Sequence, residues 1–345
     1  MRGRIERLRS LLDEPLLVSS PVNVRYLSGL QSTNAALLVT PDGARLYTDF
    51  RYAERARSLR SAELVETRRD LYADLAERLS GRIAFEAGDL TYERYERLTA
   101  GGAELVPRHG LVEGLRAVKD EAELAAIRRA AAIVSEAFER LAAEPFVGRS
   151  ERELAWRMVE ILHELGAEEV AFPVTVAAGE SGASPHAVAG DSRVEEGQAV
   201  VIDAGCRAGG YCSDCTRTFA TGPLPPELDQ AYRLVLRAQA AGLAAVMPGA
   251  EGVVADRAAR DVIDEAGLGE RFGHGLGHGV GLEVHEEPSM HPEYPSRLAA
   301  GNVVTVEPGV YLPGLGGIRI EDMVLVREEG PEVLTSFTKE LVIVR

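Results

Sequence analysis

Hydrophobic positions along this chain change period several times, and each change marks a change of element. Leu124, Ile127, Ala131, Val134, Phe138 and Leu141 recur every three or four residues, which is the spacing of a one-sided helix. Asp120 to Glu123 stand before them as an N-cap with its capping box. Ser150 and Glu153 repeat the box. The helix they open carries Leu154, Met158, Ile161 and Leu165 on one face and stops at Gly166. Two more helices are expected at about 227–246 and 252–265, separated by Met247-Pro248-Gly249. Apolar, β-branched runs at 170–179, 199–205, 211–220, 302–312, 317–326 and 341–345 read as strands. Nearer the start the runs are shorter. VNVRYLSGL and NAALLVT have strand character, PDG is a turn, and LYTDFRY and IAFEA are further strands. Helices are expected over 51–59 and 70–79, and LVEGLRAVK (111–119) reads as a connector.

These patterns predict an α+β protein of two parts, a small α/β unit over 1–112 and a larger one over 113–345. In the larger part helix-rich and strand-rich blocks are separated, which calls for an antiparallel sheet. Each of its halves has two helices and then a strand pair bearing two acids, a weak two-fold pattern.

Composition narrows the function. The length of 345 residues suits two domains and a hydrophobic fraction of 46% supplies their cores. A net charge of −16 speaks against nucleic acid, whose binders present basic surfaces. Up to residue 110 there are 17 Arg against 16 Asp or Glu, so the later part carries nearly all the negative charge. Lysine occurs only at 119 and 339, which reads as a compositional bias without functional meaning. MRGRIERLRSLLDE is the start of an amphipathic helix and not a signal peptide. No apolar run of 18 residues spans a membrane. Three cysteines within 206–215 do not make a disulfide framework and suit a reducing compartment. The expectation is a cytoplasmic enzyme without nucleic-acid or membrane partners.

The chemistry gathers around GHGLGHGVGLEVHEEP (273–288). Asp203 ends one apolar strand and Asp214 sits in the next, with Gly205, Gly209 and Gly210 between them to turn a hairpin. Glu307 and Glu321 repeat the arrangement around PGVYLPGLGG. Four carboxylates in apolar strands are costly unless they are paired or hold a cation. Oxygen ligands with one imidazole suit Mn(II), Co(II), Fe(II) or Zn(II) better than a thiol site would. Cys212-x-x-Cys215 has no second CxxC, so the cysteines are read as small buried residues. GHGLGHGVG lacks the GK[ST] of a phosphate loop, and HEEPSMH is not HExxH.

Taken together, NVRYLSGL, LYTDFRY, LRAVKDEAEL, SPHA, VVIDAGCRAGGYCSDCTRTFATG, LGHGVGLEVHEEP and VVTVEPGVYLPGLGGIRIEDMVLV make the chain resemble the creatinase/prolidase/aminopeptidase P group of pita-bread metallopeptidases, relatives of methionine aminopeptidase. The resemblance covers nearly the whole chain. It implies a creatinase-like N-terminal domain and a catalytic pita-bread domain with a curved antiparallel sheet. It implies two divalent metals per subunit, with Mn(II) the expected ion and Co(II) or Zn(II) as alternatives. Asp203 resembles the chelating ligand of the first metal, Asp214 and Glu321 the bridging carboxylates, and His278 and Glu307 the ligands of the second. His186 and His285 match the two active-site histidines that are not ligands. Arg319 matches an arginine that supports the site, and His274 is either a wall residue or a substrate contact. His109, His163 and His291 are read as ordinary polar residues.

The implied activity is that of a proline dipeptidase, which hydrolyses the bond before proline in Xaa-Pro by attack of a hydroxide shared between the metals. Glu307 would be the proton carrier, and His285 and His186 would face the reacting groups. The alternative is an aminopeptidase P, which releases the first residue from longer Xaa-Pro peptides. A homodimer is the implied assembly. One departure bears on this choice. Many proline dipeptidases carry arginine directly after HEEP, where it grips the substrate's carboxylate; here that residue is Ser289, and Arg297 is the nearby candidate to replace it. A binding protein that has lost catalysis and a dinuclear phosphoesterase are the remaining readings. Intact ligand positions and both histidines count against the first, the family resemblance against the second.

Overall fold

The computed structural model describes residues 2–294 and 296–345, and the chain divides into a unit ending at Arg116 and a unit from Ala117 to Arg345. In the first unit the elements run α1 (Arg2–Arg9), β1 (Leu16–Val18), α2 (Pro21–Ser28), β2 (Ala35–Thr40), β3 (Gly43–Asp49), α3 (Phe50–Arg57), β4 (Glu63–Thr67), α4 (Leu71–Arg78), β5 (Gly81–Glu86), α5 (Tyr92–Ala100) and β6 (Ala103–Arg108), with α6 (Leu111–Ala117) at its end. Six strands form one mixed sheet in the order β4-β3-β2-β1-β5-β6, antiparallel at β1–β2 and β2–β3 and parallel elsewhere. Leu17, Leu38, Tyr47, Leu75, Phe85 and Leu98 fill its core.

Two expectations fail here for physical reasons. VNVRYLSGL is not a strand but most of α2. Pro21 opens that helix, Gly29 closes it in the left-handed region at φ 85°, and Glu86 Oε2 accepts from the backbone N–H of Ser19 (2.6 Å) and Ser20 (2.8 Å) at its start. A carboxylate from β5 thus fixes the chain entering the helix, where the Ser20 side chain makes no cap hydrogen bond. LYTDFRY is a strand only as far as Asp49, whose Oδ1 accepts from Arg51 N–H at 2.9 Å and starts α3. The connector at 111–119 is largely helical, as α6.

The second unit begins with α7 (Glu121–Ala142) and α8 (Glu151–Glu164), followed by β7 (Glu169–Val170), β8 (Thr175–Ala178), β9 (Ala199–Ala204), β10 (Cys206–Ala208), β11 (Tyr211–Cys212) and β12 (Cys215–Ala220). Then come α9 (Pro226–Ala245), α10 (Gly252–Asp264), β13 (Gly277–Gly279), β14 (Glu286–Met290), β15 (Val303–Val306), β16 (Gly309–Leu312), β17 (Gly316–Arg319), β18 (Asp322–Arg327) and β19 (Gly330–Val333). Both capping boxes form: Asp120 with Glu123 at 3.0 Å in each direction, and Ser150 with Glu153 at 2.7 and 3.1 Å. The main sheets are β12-β9-β8 and β14-β13-β15-β18-β19, and every strand pair in the unit is antiparallel. Phe138, Met158, Ile202 and Phe219 share one core, in which α7 and α8 cover the first sheet. Val235, Ala259, Val304 and Val324 share a second, in which α9 and α10 cover the other. The α+β architecture and its separated blocks are as the hydrophobic pattern requires.

Several expected strands are interrupted, and most of the interruptions matter. Pro173 separates β7 from β8. Asp214 lies in the break between β11 and β12, Glu307 in that between β15 and β16, and Glu321 in that between β17 and β18. At these breaks the backbone changes partners: Glu321 N–H donates to Thr216 O at 3.1 Å and Glu307 N–H to Leu276 O at 2.9 Å. The turn from β10 to β11 is made by Gly209 and Gly210, both at positive φ (62° and 81°), as a two-residue hairpin requires. Residues 341–345 form no strand beyond a bridge between Ile343 and Ala220.

Candidate metal centre

Register brings the acids together. β9 and β12 pair Ala204 with Cys215 and Asp203 with Thr216, so Asp203 lies in β9 and Asp214 just before the start of the neighbouring β12. β15 and β18 pair Val306 with Asp322, so Glu307 and Glu321 stand immediately beyond the last paired residues, where their charges repel. His278 enters from β13, which pairs with β15. Ligand atoms of Asp214, His278 and Glu321 all lie within 4.8 Å of one another, a group able to hold a metal ion.

The tautomer of His278 follows from its neighbours. Nδ1 lies 3.1 Å from Gly279 O, and a carbonyl only accepts, so Nδ1 carries the hydrogen. The neutral ring then presents the Nε2 lone pair to Glu307 Oε1 at 3.3 Å and Asp214 Oδ2 at 3.6 Å. That arrangement is repulsive unless a proton or a cation lies between them. Burial disfavours a charged His278, but the hydrogen bond and charge of Glu307 outweigh it and raise its pKa. His278 in turn outweighs burial at Glu307 and holds that carboxyl low. Asp214 is pushed well above the usual carboxylate range, by burial first and then by Glu321, Asp203 and Glu307. Glu321 is pushed up likewise, by burial and then by Glu307 and Asp203. Asp203 Oδ2 accepts from Arg319 Nη2 at 2.8 Å, while its Oδ1 is buried without a hydrogen-bond partner. An orphaned carboxylate oxygen, crowded acids and an imidazole lone pair are the donor set a divalent cation would satisfy.

Around this cluster lies a cavity of about 550 Å³. Its lining includes Asp203, Asp214, His278, Glu307 and Glu321, and also His186, His274, His285 and Arg319, so every site residue expected from the sequence reaches one cavity. The His285 ring stands 4.2 Å from that of His278, and burial, with the charge of His278 next, lowers its pKa. Arg319 is wholly engaged inside the wall: besides Asp203 it donates to Thr216 Oγ1 (3.1 Å) and Tyr311 Oη (2.9 Å). Tyr311 Oη lies 3.0 Å from His274 Nε2, and His274 Nδ1 lies 2.9 Å from Gly275 O. The hydrogens therefore run in one direction, from Arg319 through Tyr311 to His274. Behind this wall, Arg260 donates to Phe272 O and His274 O, both at 2.7 Å, and Asp256 Oδ1 accepts from Leu276 N–H at 3.0 Å, which fixes the segment before His278.

Sequence reasoning missed three members of the site. Tyr311 reads as a strand aromatic, and only the fold carries its hydroxyl to Arg319. Tyr294 and His291 line the cavity, so His291, expected to be an ordinary polar residue, stands in the wall of the site. Arg297 does not. It is exposed, stands 3.7 Å from Glu251, and is not among the described residues of the cavity wall, so it does not replace the missing arginine at Ser289. The cysteines are buried and free, and burial pushes the Cys206 thiol up to about 11 and that of Cys212 to about 12. Protonated thiols of this kind are poor metal ligands.

The geometry has close parallels among known proteins. Residues 125–328 match metallopeptidase family M24 and residues 4–118 match the Creatinase/Prolidase N-terminal domain. The chain is 35% identical to a Xaa-Pro dipeptidase of Pyrococcus furiosus, over 99% of this chain and 100% of the relative. The solved Xaa-Pro dipeptidase of Bacillus anthracis superposes with a TM-score of 0.95 at 38% identity, covering 99% of both chains. The X-Pro aminopeptidase of Thermotoga maritima does so with a TM-score of 0.89 at 34% identity, covering 98% of this chain and 100% of that one. Full-length likeness of this degree, on a site of crowded acids, is decisive: the chain belongs to the M24 metallopeptidases, with a creatinase-like N-terminal domain followed by a pita-bread catalytic domain.

Proposed function

We propose that this enzyme is a dinuclear exopeptidase that hydrolyses the bond before proline in Xaa-Pro dipeptides. The observation that carries the reading is the donor set itself: four crowded acids, Asp214 and Glu321 buried and Asp203 and Glu307 half-buried, and an imidazole lone pair, with too few protein donors to satisfy them. Asp203 would chelate the first ion, Asp214 and Glu321 would bridge the two, and His278 and Glu307 would complete the second. Mn(II) is the expected ion, and Co(II) or Zn(II) would fit the same oxygen-rich set. When bound, the ions supply Lewis acidity, which ionises water near neutral pH and polarises a carbonyl.

The chain's own groups do the rest. Glu307 holds the proton taken from the attacking water. His285 donates a hydrogen bond to the oxygen on which charge develops, and His186 places the leaving nitrogen. Arg319 and Thr216 hold Asp203 and Glu321 in orientation. A bond to proline is a tertiary amide without an N–H, so a site that does not read that hydrogen accepts it. The names of the dipeptidase relatives support this substrate class, and we take the enzyme to act as a homodimer in the cytoplasm.

A second reading, release of the first residue from longer Xaa-Pro peptides, is favoured by one observation. Ser289 stands in the cavity wall where an arginine would grip a free carboxylate, and the one arginine among the described lining residues, Arg319, is already engaged. Hydrolysis of a Xaa-Pro dipeptide and a Xaa-Pro-Xaa tripeptide, by chelator-stripped protein with Mn(II) restored, tests both readings. Turnover of the dipeptide alone supports a dipeptidase, and faster turnover of the tripeptide the second reading. Activity that survives stripping removes the metal assignment.

A further inference from the structure

From Pro288 to His291, at the end of β14, side chains alternate between the core and the cavity, and His285 reaches the same cavity from just before the strand. Pro288 and Met290 are buried, whereas His285, Ser289 and His291 line the cavity. Gly277 pairs with Met290, and Leu276 N–H donates to Met290 O at 2.9 Å, which sets His291 beside Gly275. A Cβ at residue 275 would stand 2.8 Å from His291 Cδ2, so the glycine makes room for the imidazole. The ring also packs on Tyr294, with centroids 4.8 Å apart.

This packing leaves His291 one defined polar function. Its Nδ1 accepts from Glu293 N–H at 3.1 Å, so the ring in that arrangement is neutral and its hydrogen is on Nε2. Among the described residues Nε2 has no hydrogen-bond partner, and it offers a donor. The free amine of a peptide needs acceptors, which the acid cluster has in excess. A donor suits an oxygen at the opposite end of the substrate. Gly275 lies three residues before His278, just ahead of β13, at most about 11 Å away along the chain. Two residues of a peptide held at the acid cluster reach at most about 7 Å to the oxygen after proline, and a hydrogen bond of about 3 Å makes up the remainder.

We propose that His291 is the specificity-determining residue beyond proline, its Nε2–H donating to the oxygen that follows the ring. In a dipeptide that oxygen belongs to the terminal carboxylate, in a longer peptide to a carbonyl. A neutral donor beside Ser289 reads both, so the enzyme distinguishes them weakly. The proposal rests on the Xaa-Pro reading of the site.

The test uses the full-length Mn(II)-loaded enzyme with Ala-Pro, Ala-Pro-amide and Ala-Pro-Ala. The unaltered protein is expected to cleave all three with kcat/KM within about tenfold. His291→Ala should raise KM about tenfold on each, the size of one lost hydrogen bond, with kcat, bound Mn(II) and melting temperature unchanged. His291→Gln, which keeps an N–H donor, should recover most of the loss. His291→Arg should shift preference toward the free dipeptide. Unchanged KM in His291→Ala, or loss of kcat or bound metal instead, overturns the proposal. So does a wild-type preference for Ala-Pro over its amide above about a hundredfold, which would require a charged grip. Failure of the unaltered enzyme to cleave any of the three overturns the Xaa-Pro reading and this proposal with it.

Discussion

Glu321 and Asp322 are consecutive buried acids, exposed by 2% and 0%, and the fold treats them in opposite ways. Asp322 accepts from Arg217 Nη2, Thr335 Oγ1 and Lys339 Nζ at 2.8 Å each and from Gln239 Nε2 at 2.9 Å. Burial alone would raise its pKa, but Arg217 and Lys339 outweigh it and hold the carboxyl below the usual range. Glu321 accepts one hydrogen bond from the described residues, Thr216 Oγ1 at 2.8 Å, and is pushed far up. Neighbouring residues of an extended chain point to opposite faces. One face here is a finished structural charge cluster, and the other is deliberately short of donors. Burial and charge therefore do not mark a functional acid; incomplete satisfaction does.

The largest expected effect falls on the unsatisfied face. Asp214→Asn should lower kcat/KM at least a thousandfold, about 4 kcal/mol of barrier, while the metal-free variant melts no lower than metal-free wild type. Near-normal turnover would break the proposed bridging role. On the satisfied face, Asp322→Asn leaves buried Arg217 and half-buried Lys339 without their counter-ion and should destabilise the protein by about 3 kcal/mol, read as denaturation midpoint. If it is neutral, the contrast between the two acids fails.

Glu86 in the first unit sharpens the comparison. It accepts three hydrogen bonds, from Ser19 N, Ser20 N and Asn23 Nδ2, yet burial still raises its pKa to about 7. Its folded value lies above its unfolded value near 4.3, so the folded state holds the extra proton in between. Stability should thus fall as pH rises from about 4.5 to about 7, by about 3 kcal/mol at 1.36 kcal/mol per unit, and level off above. Chemical denaturation of wild type against Glu86→Gln from pH 5 to 8 checks the slope; parallel curves would discount Glu86. The smallest effect is the most diagnostic. In metal-stripped protein Glu321→Gln relieves like-charge crowding and should stabilise by about 1 kcal/mol, raising Tm by about 2–4 °C. A lower Tm would show that the protein alone balances Glu321.

Periodicity and capping chemistry made much of the fold legible. α7 and α8 start at the two boxes written into the sequence, because those boxes are local: each joins residues three apart. The helix α2 was illegible because the chain entering it is held by Glu86, more than sixty residues away. The acids were legible as a set, since polar residues inside apolar strands are conspicuous. That Asp214, Glu307 and Glu321 occupy the strand interruptions was not, because an interruption is created by the change of hydrogen-bond partner. Lysine scarcity looked like mere composition. In the fold both lysines serve buried acids, Lys119 with Glu286 at 2.9 Å and Lys339 with Asp322 at 2.8 Å, where a compact ammonium fits.

The sequence by itself determined the helices with local caps, the apolar strands, the two-unit division of charge and the identity of the candidate ligands, because these depend on side-chain type and short spacing. Tertiary structure alone decided which buried acid is satisfied and which is left short of donors, since Asp322 and Glu321 draw their partners from β12, α9 and the C-terminal segment. It also decided that Arg297 lies outside the cavity and His291 inside it. That outcome is set by strand register, which places a side chain by its partner across the sheet and not by its neighbours along the chain.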